Sequence, residues 1–366
     1  SCAPALKQVG PLGQQKIVMD GTMVRAKPDP VNQLTVYDPQ HLFHLAAEAE
    51  RNAHDAQSIQ LYDRLLAEFP EAMLAPAARF NLGLIHEKHQ DYAAAIPLYA
   101  KIIEVSIPGD PAARKTWIDA HYRLGACAGK LGDWWKSVAM FEKILAYESL
   151  TDPDRMEALL GRGIALHEAG ELDAAEVALA KALRFHRETE SLARTESHGF
   201  AAEAAFRMGD VSRQRFSGIV LEFPIDLLKA RLEEKCEQLL TAQRRYLQAV
   251  RYGDAHTVAV AGFRIGGLYE GLYETIVTLK APLELTSEQV EIYQDEVKNR
   301  VSILLKKAIR IYEKSISIGR NAVSAQEWIP RLEEALARLK SIYLDSTDPF
   351  VASSPPTDSV PAATVQ

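Results

Sequence analysis

The sequence predicts an all-α protein: an α-solenoid of antiparallel helix hairpins, followed by an irregular C-terminal helical portion. Three observations carry this. A small–small–large residue pattern recurs at fixed offsets through the first half of the 366-residue chain. Short polar turn signals fall at matching places between those residues, and two long amphipathic segments with helical spacing follow.

Residues 1–38 read as an extended N-terminal tether, because "KQVGPLGQQKIVMDGTMVRAKPDPVNQ" mixes Gly, Pro and polar residues without periodicity. Regular hairpins are expected over 39–195. Gly83 is followed by Ala95 and Tyr99, Gly125 by Ser137 and Phe141, Gly163 by Ala175 and Leu179, and Ala46 by Ser58 and Tyr62, always at the same offsets. Two antiparallel helices approach closely only where small residues meet at their crossing, and the large residue one turn later fills the space beside it. "QDY" at 90–92, "GDW" at 132–134 and "GEL" at 170–172 reverse the chain between the helices. One such hairpin cannot bury its own apolar face, so hairpins stack. Five or six are expected.

A looser portion, 196–345, begins with two further first helices centred on Gly209 and Gly266. Between them, 226–254 reads as one long amphipathic helix with Leu232, Cys236, Leu239, Leu240, Tyr246 and Val250 on its apolar stripe. "APLEL" then breaks the helix, Ser287 opens another that runs to Gly319, and a last one covers about 324–344. Residues 346–366 are rich in Pro, Ser and Thr and predict disorder.

The repeated pattern resembles the tetratricopeptide repeat, W-x2-L-G-x2-Y…A-x3-F…P. The matching residues are Leu82, Gly83, Ala95 and Tyr99, then Leu124, Gly125, Ser137 and Phe141. The first Trp of that pattern is missing. Spacings of 37, 42 and 38 residues between Ala46, Gly83, Gly125 and Gly163 exceed the family's ~34, so the loops are longer. Residues 242–276 and 304–316 are in turn similar to outer-membrane tetratricopeptide lipoproteins of myxobacteria, among them the lipoprotein of the gliding-motility complex. The Ser1–Cys2 pair resembles the end of a bacterial lipobox, which implies Cys2 as a lipidated residue and a bacterial envelope location facing the periplasm. A cytoplasmic adaptor of the same fold is the alternative.

Composition bears on function mainly by exclusion. The formal charge of −7 and the lack of a Lys/Arg-rich stretch argue against nucleic acid as a partner. No apolar run approaches the ~18 residues that span a bilayer. Cys127 and Cys236 lie in helical patterns and read as buried thiols. "HEKH" at 86–89 spaces its histidines at i and i+3, not at the i and i+4 of a zinc helix, so His86 and His89 read as packing residues. "HLFH" at 41–44 has the same spacing. A metal-dependent enzyme at His86 and His89 is the weakest reading, and neither cofactor nor metal is expected.

Surface recognition is the stronger expectation. In the family that the repeats resemble, the position three before the reference small residue lines a concave groove. Here those residues are Phe43, Phe80, Tyr122, Leu160, Phe206 and Phe263, all apolar and five of them aromatic. Rigid aromatics offer large contact area with few rotors to freeze. The clamp for a terminal carboxylate, built from Lys and Asn in the first repeat of some relatives, is replaced here by Phe43, His44 and Ala47; Arg123 and Lys130 do not rebuild it. The sequence therefore predicts a non-catalytic scaffold that binds proteins or peptides through an aromatic groove.

Overall fold

The computed structural model describes residues 23–26, 34–104, 109–148, 150–189, 196–282 and 285–347. They form a short hairpin of β1 (Met23–Ala26) and β2 (Leu34–Tyr37) and thirteen helices. The helices are α1 (Pro39–Arg51), α2 (Asp55–Glu68), α3 (Ala75–Lys88), α4 (Tyr92–Ile103), α5 (Pro111–Lys130), α6 (Trp134–Leu145), α7 (Asp152–Glu168), α8 (Leu172–Thr189), α9 (Glu196–Gly218), α10 (Ile225–Tyr252), α11 (Ala255–Val277), α12 (Ser287–Gly319) and α13 (Ile329–Thr347). The chain divides into two compact units, residues 1–144 and 145–366.

The two strands lie within the segment expected as an N-terminal tether. Met23 faces Tyr37 and Ala26 faces Leu34 in an antiparallel pair. Val24, Thr35 and Val36 favour extended backbone, a local preference that a search for long-range periodicity does not register.

In the first unit, α1/α2, α3/α4 and α5/α6 are consecutive hairpins. One core gathers Leu42, Ala46, Tyr62, Leu65, Ala78 and Leu82, and a second gathers Ala95, Tyr99, Ala120, Leu124 and Cys127. In the second unit, α7/α8, α9/α10 and α11/α12 repeat the plan and α13 packs on α12. Its core runs through Tyr246, Ile265, Tyr269, Leu305, Tyr312, Leu332 and Leu339. The fold is therefore all-α apart from the hairpin, with six helix pairs and a terminal helix.

The four regular pairs turn in the same way. Ala53, Gln90, Gly132 and Gly170 all lie in the left-handed region, with φ of 58°, 61°, 79° and 85°. Each N–H bonds back to a carbonyl three residues earlier. The next N–H reaches a carbonyl five residues earlier, as in His54 N to Ala49 O at 2.8 Å and Asp91 N to His86 O at 2.9 Å. This is the Schellman closure of a helix end. The polar residue beyond it often caps the next helix: the Asp91 carboxylate accepts from Ala94 N at 3.2 Å.

The helix crossings depend on the small residues. A Cβ added at Gly83 would lie 2.6 Å from the Tyr99 ring, and one at Gly163 2.6 Å from Leu179. Two crossings in the second unit share this chemistry at offsets too irregular to show as a repeat. Gly209 meets Tyr246 and Gly266 meets Tyr312, each ring preceded one turn earlier by a small residue, Ala242 or Ala308.

The buried stripe of α10 is Lys235, Leu239, Ala242, Tyr246 and Ala249. Leu240, expected on it, is instead 52% exposed, because it sits one residue, about 100°, round from Leu239. Lys235 takes a core position because its ammonium donates to Phe216 O at 2.8 Å and Ile219 O at 2.9 Å, closing the end of α9. α12 opens at Ser287 as expected, and Thr286 before it caps the helix in a reciprocal capping box with Gln289. The last helix starts at Ile329 rather than near 324, after a 3-10 turn at Val323–Ala325.

Candidate functional site

The "HEKH" segment works as a structural fastener at the end of α3. Asp55, at the start of α2, pairs with Lys88 Nζ at 2.7 Å and His89 Nε2 at 2.9 Å, while His86 Nδ1 lies 3.6 Å from Asp91. Glu87 accepts from the Tyr99 hydroxyl at 2.5 Å and faces Arg123 of α5 at 3.4 Å. Among the described residues, no group of three or more His, Cys, Asp or Glu is placed to hold a metal ion. Burial, then Glu87, pushes the Cys127 thiol up to about 12. Both described cysteines are free thiols, Cys127 buried and Cys236 half-buried.

The Tyr–acid–Arg arrangement recurs in the second unit. Tyr246 donates to Asp210 at 2.8 Å, with Arg264 of the next helix 3.8 Å away. Tyr312 donates to Glu270 at 3.4 Å, and Arg338 of α13 reaches Glu270 at 2.5 Å. Each trio links one helix pair to the next element. Burial foremost, then the neighbouring acid, raises the pKa of all three tyrosines. Burial likewise raises that of Glu270, against the Arg338 guanidinium.

The six proposed groove residues occupy equivalent places on α1, α3, α5, α7, α9 and α11. Tyr122 and Leu160 are buried; Phe43, Phe80, Phe206 and Phe263 are half-buried. The five rings each lean on the large ring of the paired helix: Phe43 on Tyr62, Phe80 on Tyr99, Tyr122 on Phe141, Phe206 on Tyr246 and Phe263 on Tyr312, with centroids 5.1–6.3 Å apart. They thus cover the helix crossing, and the four phenylalanines leave part of the ring accessible. Cys2 lies outside the described residues.

In the second unit, Phe206 lines a cavity of about 650 Å³ formed by α9, the α10–α11 turn and the segment before α13. Its wall includes Tyr252, His256 and Trp328 along with Glu203, Asp254 and Glu327. Phe263 packs at a tilt against Trp328, with ring centroids 5.5 Å apart. The His256 Nδ1–H donates to Ser324 O at 3.0 Å, which ties α11 to the turn carrying Trp328. Sequence reasoning reaches Phe206 and Phe263 but misses Tyr252, Asp254, His256 and Trp328. The available signal is "YGDAHT" at 252–257, a turn and helix cap that reads as structure alone.

The tetratricopeptide-repeat profile matches residues 45–111 and 119–190. Over these two segments the chain is similar to tetratricopeptide repeats. Such repeats typically act as protein-interaction scaffolds. Solved tetratricopeptide structures align with this chain at low identity. MamA from Desulfovibrio magneticus RS-1 shares 14% identity over 56% of this chain and 96% of its own, with a TM-score of 0.36. YrrB, described as having an unusual peptide-binding site, shares 19% over 58% and 91%, TM-score 0.38. A repeat protein from Parabacteroides merdae shares 14% over 82% and 98%, TM-score 0.38. No curated protein matches the chain. Among the described residues, no helix is long and apolar enough to cross a membrane.

Proposed function

We propose that the chain is a non-catalytic scaffold that binds partner proteins through its first-helix aromatic face, with the cavity beside Phe206 as its principal contact. The observation that carries this reading is the cavity itself: about 650 Å³, walled by partly accessible aromatic rings and a few polar groups, the usual make-up of a recognition site. The test is an array of unbiased short peptides probed with the full chain and with Phe206→Ala. Peptides held by the parent and released by the variant, with unchanged circular dichroism, support the reading. An array on which the parent binds nothing, or on which the variant binds equally, refutes it. The paired change Phe80→Ala and Tyr122→Ala tests the first unit in the same way.

The same proposal places the scaffold in a bacterial envelope complex, at the outer membrane facing the periplasm or in a motility assembly, with Cys2 as a lipid anchor. Support comes from the Ser1–Cys2 pair and from the likeness of 242–276 and 304–316 to myxobacterial lipoproteins. Mass spectrometry of protein from its native cells decides: an acylated Cys2 is expected, and an unmodified one leaves the cytoplasmic adaptor.

A further inference from the structure

We propose that the cavity beside Phe206 takes a basic side chain of an extended partner peptide, an Arg or Lys flanked by an apolar residue. This rests on the scaffold reading and narrows it to a ligand class.

Charge is the first argument. Glu203, Asp254 and Glu327 line the cavity, against Arg207 and the His256 imidazole. Arg207 is already engaged, its Nε 2.7 Å from Glu203 and a terminal nitrogen 3.7 Å from Glu168. Glu327 faces Arg331 at 3.5 Å. Asp254 differs. Its Oδ1 accepts from Thr257 N at 3.1 Å and from the Thr257 hydroxyl at 3.2 Å, and among the described residues it makes no ion pair. It is an exposed carboxylate at the cavity wall, with the Thr257 and Ser324 side chains as hydrogen-bond partners and the His256 imidazole nearby, so the wall carries a net negative charge centred on Asp254.

The second argument is the wall's own behaviour toward guanidinium groups. Arg331 stacks over Trp328, its Cζ 4.7 Å from the ring centroid, and Arg207 sits between two carboxylates. These are the two ways a protein recognises guanidinium, over an aromatic face and against paired oxygens. The third is shape. Gly199, Ala202 and Gly253 put little bulk on the wall, while Phe206, Tyr252 and Val260 give an apolar neighbour of the basic residue somewhere to pack. An acidic peptide would meet three carboxylates and gain nothing from the wall.

The test uses the full chain and fluorescence anisotropy with three probes, fluorescein-Gly-Leu-Xaa-Phe-Gly-amide, in which Xaa is Arg, citrulline or Glu. Citrulline keeps the shape of Arg without its charge. The Arg probe is expected to bind about tenfold tighter than the citrulline probe at low salt, with the gap narrowing as salt rises. Asp254→Asn keeps the helix cap, because Asn caps as well as Asp. It should weaken the Arg probe about fivefold and leave the citrulline probe unchanged. Phe206→Ala should weaken both equally. Equal binding of Arg and citrulline probes overturns the charge inference while the scaffold reading stands. Equal or tighter binding of the Glu probe does the same. If none of the three binds, the inference falls, and the unbiased array decides the scaffold reading separately.

Discussion

Gly266 and Gly267 are neighbours on α11 with opposite surroundings, and substituting each by Ala tests the packing logic of the whole chain. Both changes gain the same intrinsic helix preference, about 0.5–1 kcal/mol. At Gly267 a Cβ would meet nothing within 4 Å, so Gly267→Ala should stabilise by that amount. At Gly266 the Cβ would overlap the Tyr312 ring. That ring has no easy retreat: Tyr312 is 1% exposed, its hydroxyl is directed at Glu270, and Phe263 packs on it at 6.3 Å. Overpacking of this kind costs about 1–3 kcal/mol, which exceeds the helix gain. Gly266→Ala should therefore destabilise by about 0.5–2 kcal/mol, and the two variants should differ by about 2 kcal/mol. With a urea m-value of about 2 kcal/mol/M, their midpoints separate by about 1 M. Because two compact units need not unfold together, hydrogen exchange of α11 and α12 amides at increasing urea is the assay. If both variants shift in the same direction by the same amount, the argument from small residues at helix crossings is wrong.

Three further predictions follow from individual contacts. Gln90→Gly should stabilise by about 0.5–1 kcal/mol, because Gln90 holds a left-handed φ of 61° that glycine adopts freely; Gly132→Ala, at φ 79°, should have the opposite sign, both read by thermal melting. Lys235→Met should lose about 1–3 kcal/mol by leaving the Phe216 and Ile219 carbonyls without their donor, with faster exchange at the end of α9. Arg338→Leu should destabilise by about 1–2 kcal/mol at pH 7, less than for a wholly buried pair because Arg338 is more than half exposed. Burial raises the Glu270 pKa above its ordinary 4.5, so the folded chain holds that proton more tightly than the unfolded one. Its contribution is then fully present below 4.5 and lost as pH rises through the folded value. Removing Arg338 enlarges this effect, so the deficit should shrink as pH falls from 7 toward 4.5 in urea titrations.

The regular hairpins were open to sequence reading because their determinants are local. Gly83, Ala95 and Tyr99 lie within seventeen residues of one another, and one turn chemistry recurs at Ala53, Gln90, Gly132 and Gly170. The later crossings hid because Tyr246 lies 37 residues after Gly209 and Tyr312 lies 46 after Gly266. Loops and helix extensions of unequal length shift the partners without altering the contact. Leu240 was misplaced because its neighbour Leu239 competes for the same stripe, and the choice depends on where Tyr246 and Lys235 dock.

The sequence by itself determined the helix-pair architecture of the regular hairpins, the turns within them and the apolar residue three positions before each reference small residue, since short-range spacing suffices for each. Only the tertiary structure decided which of those rings borders a cavity and which carboxylate is left uncompensated there. Phe206, Asp254 and Trp328 come from three elements spread over more than a hundred residues of chain. Their meeting depends on how α9, α11 and α13 stack around buried tyrosines, a long-range packing result that no periodicity encodes.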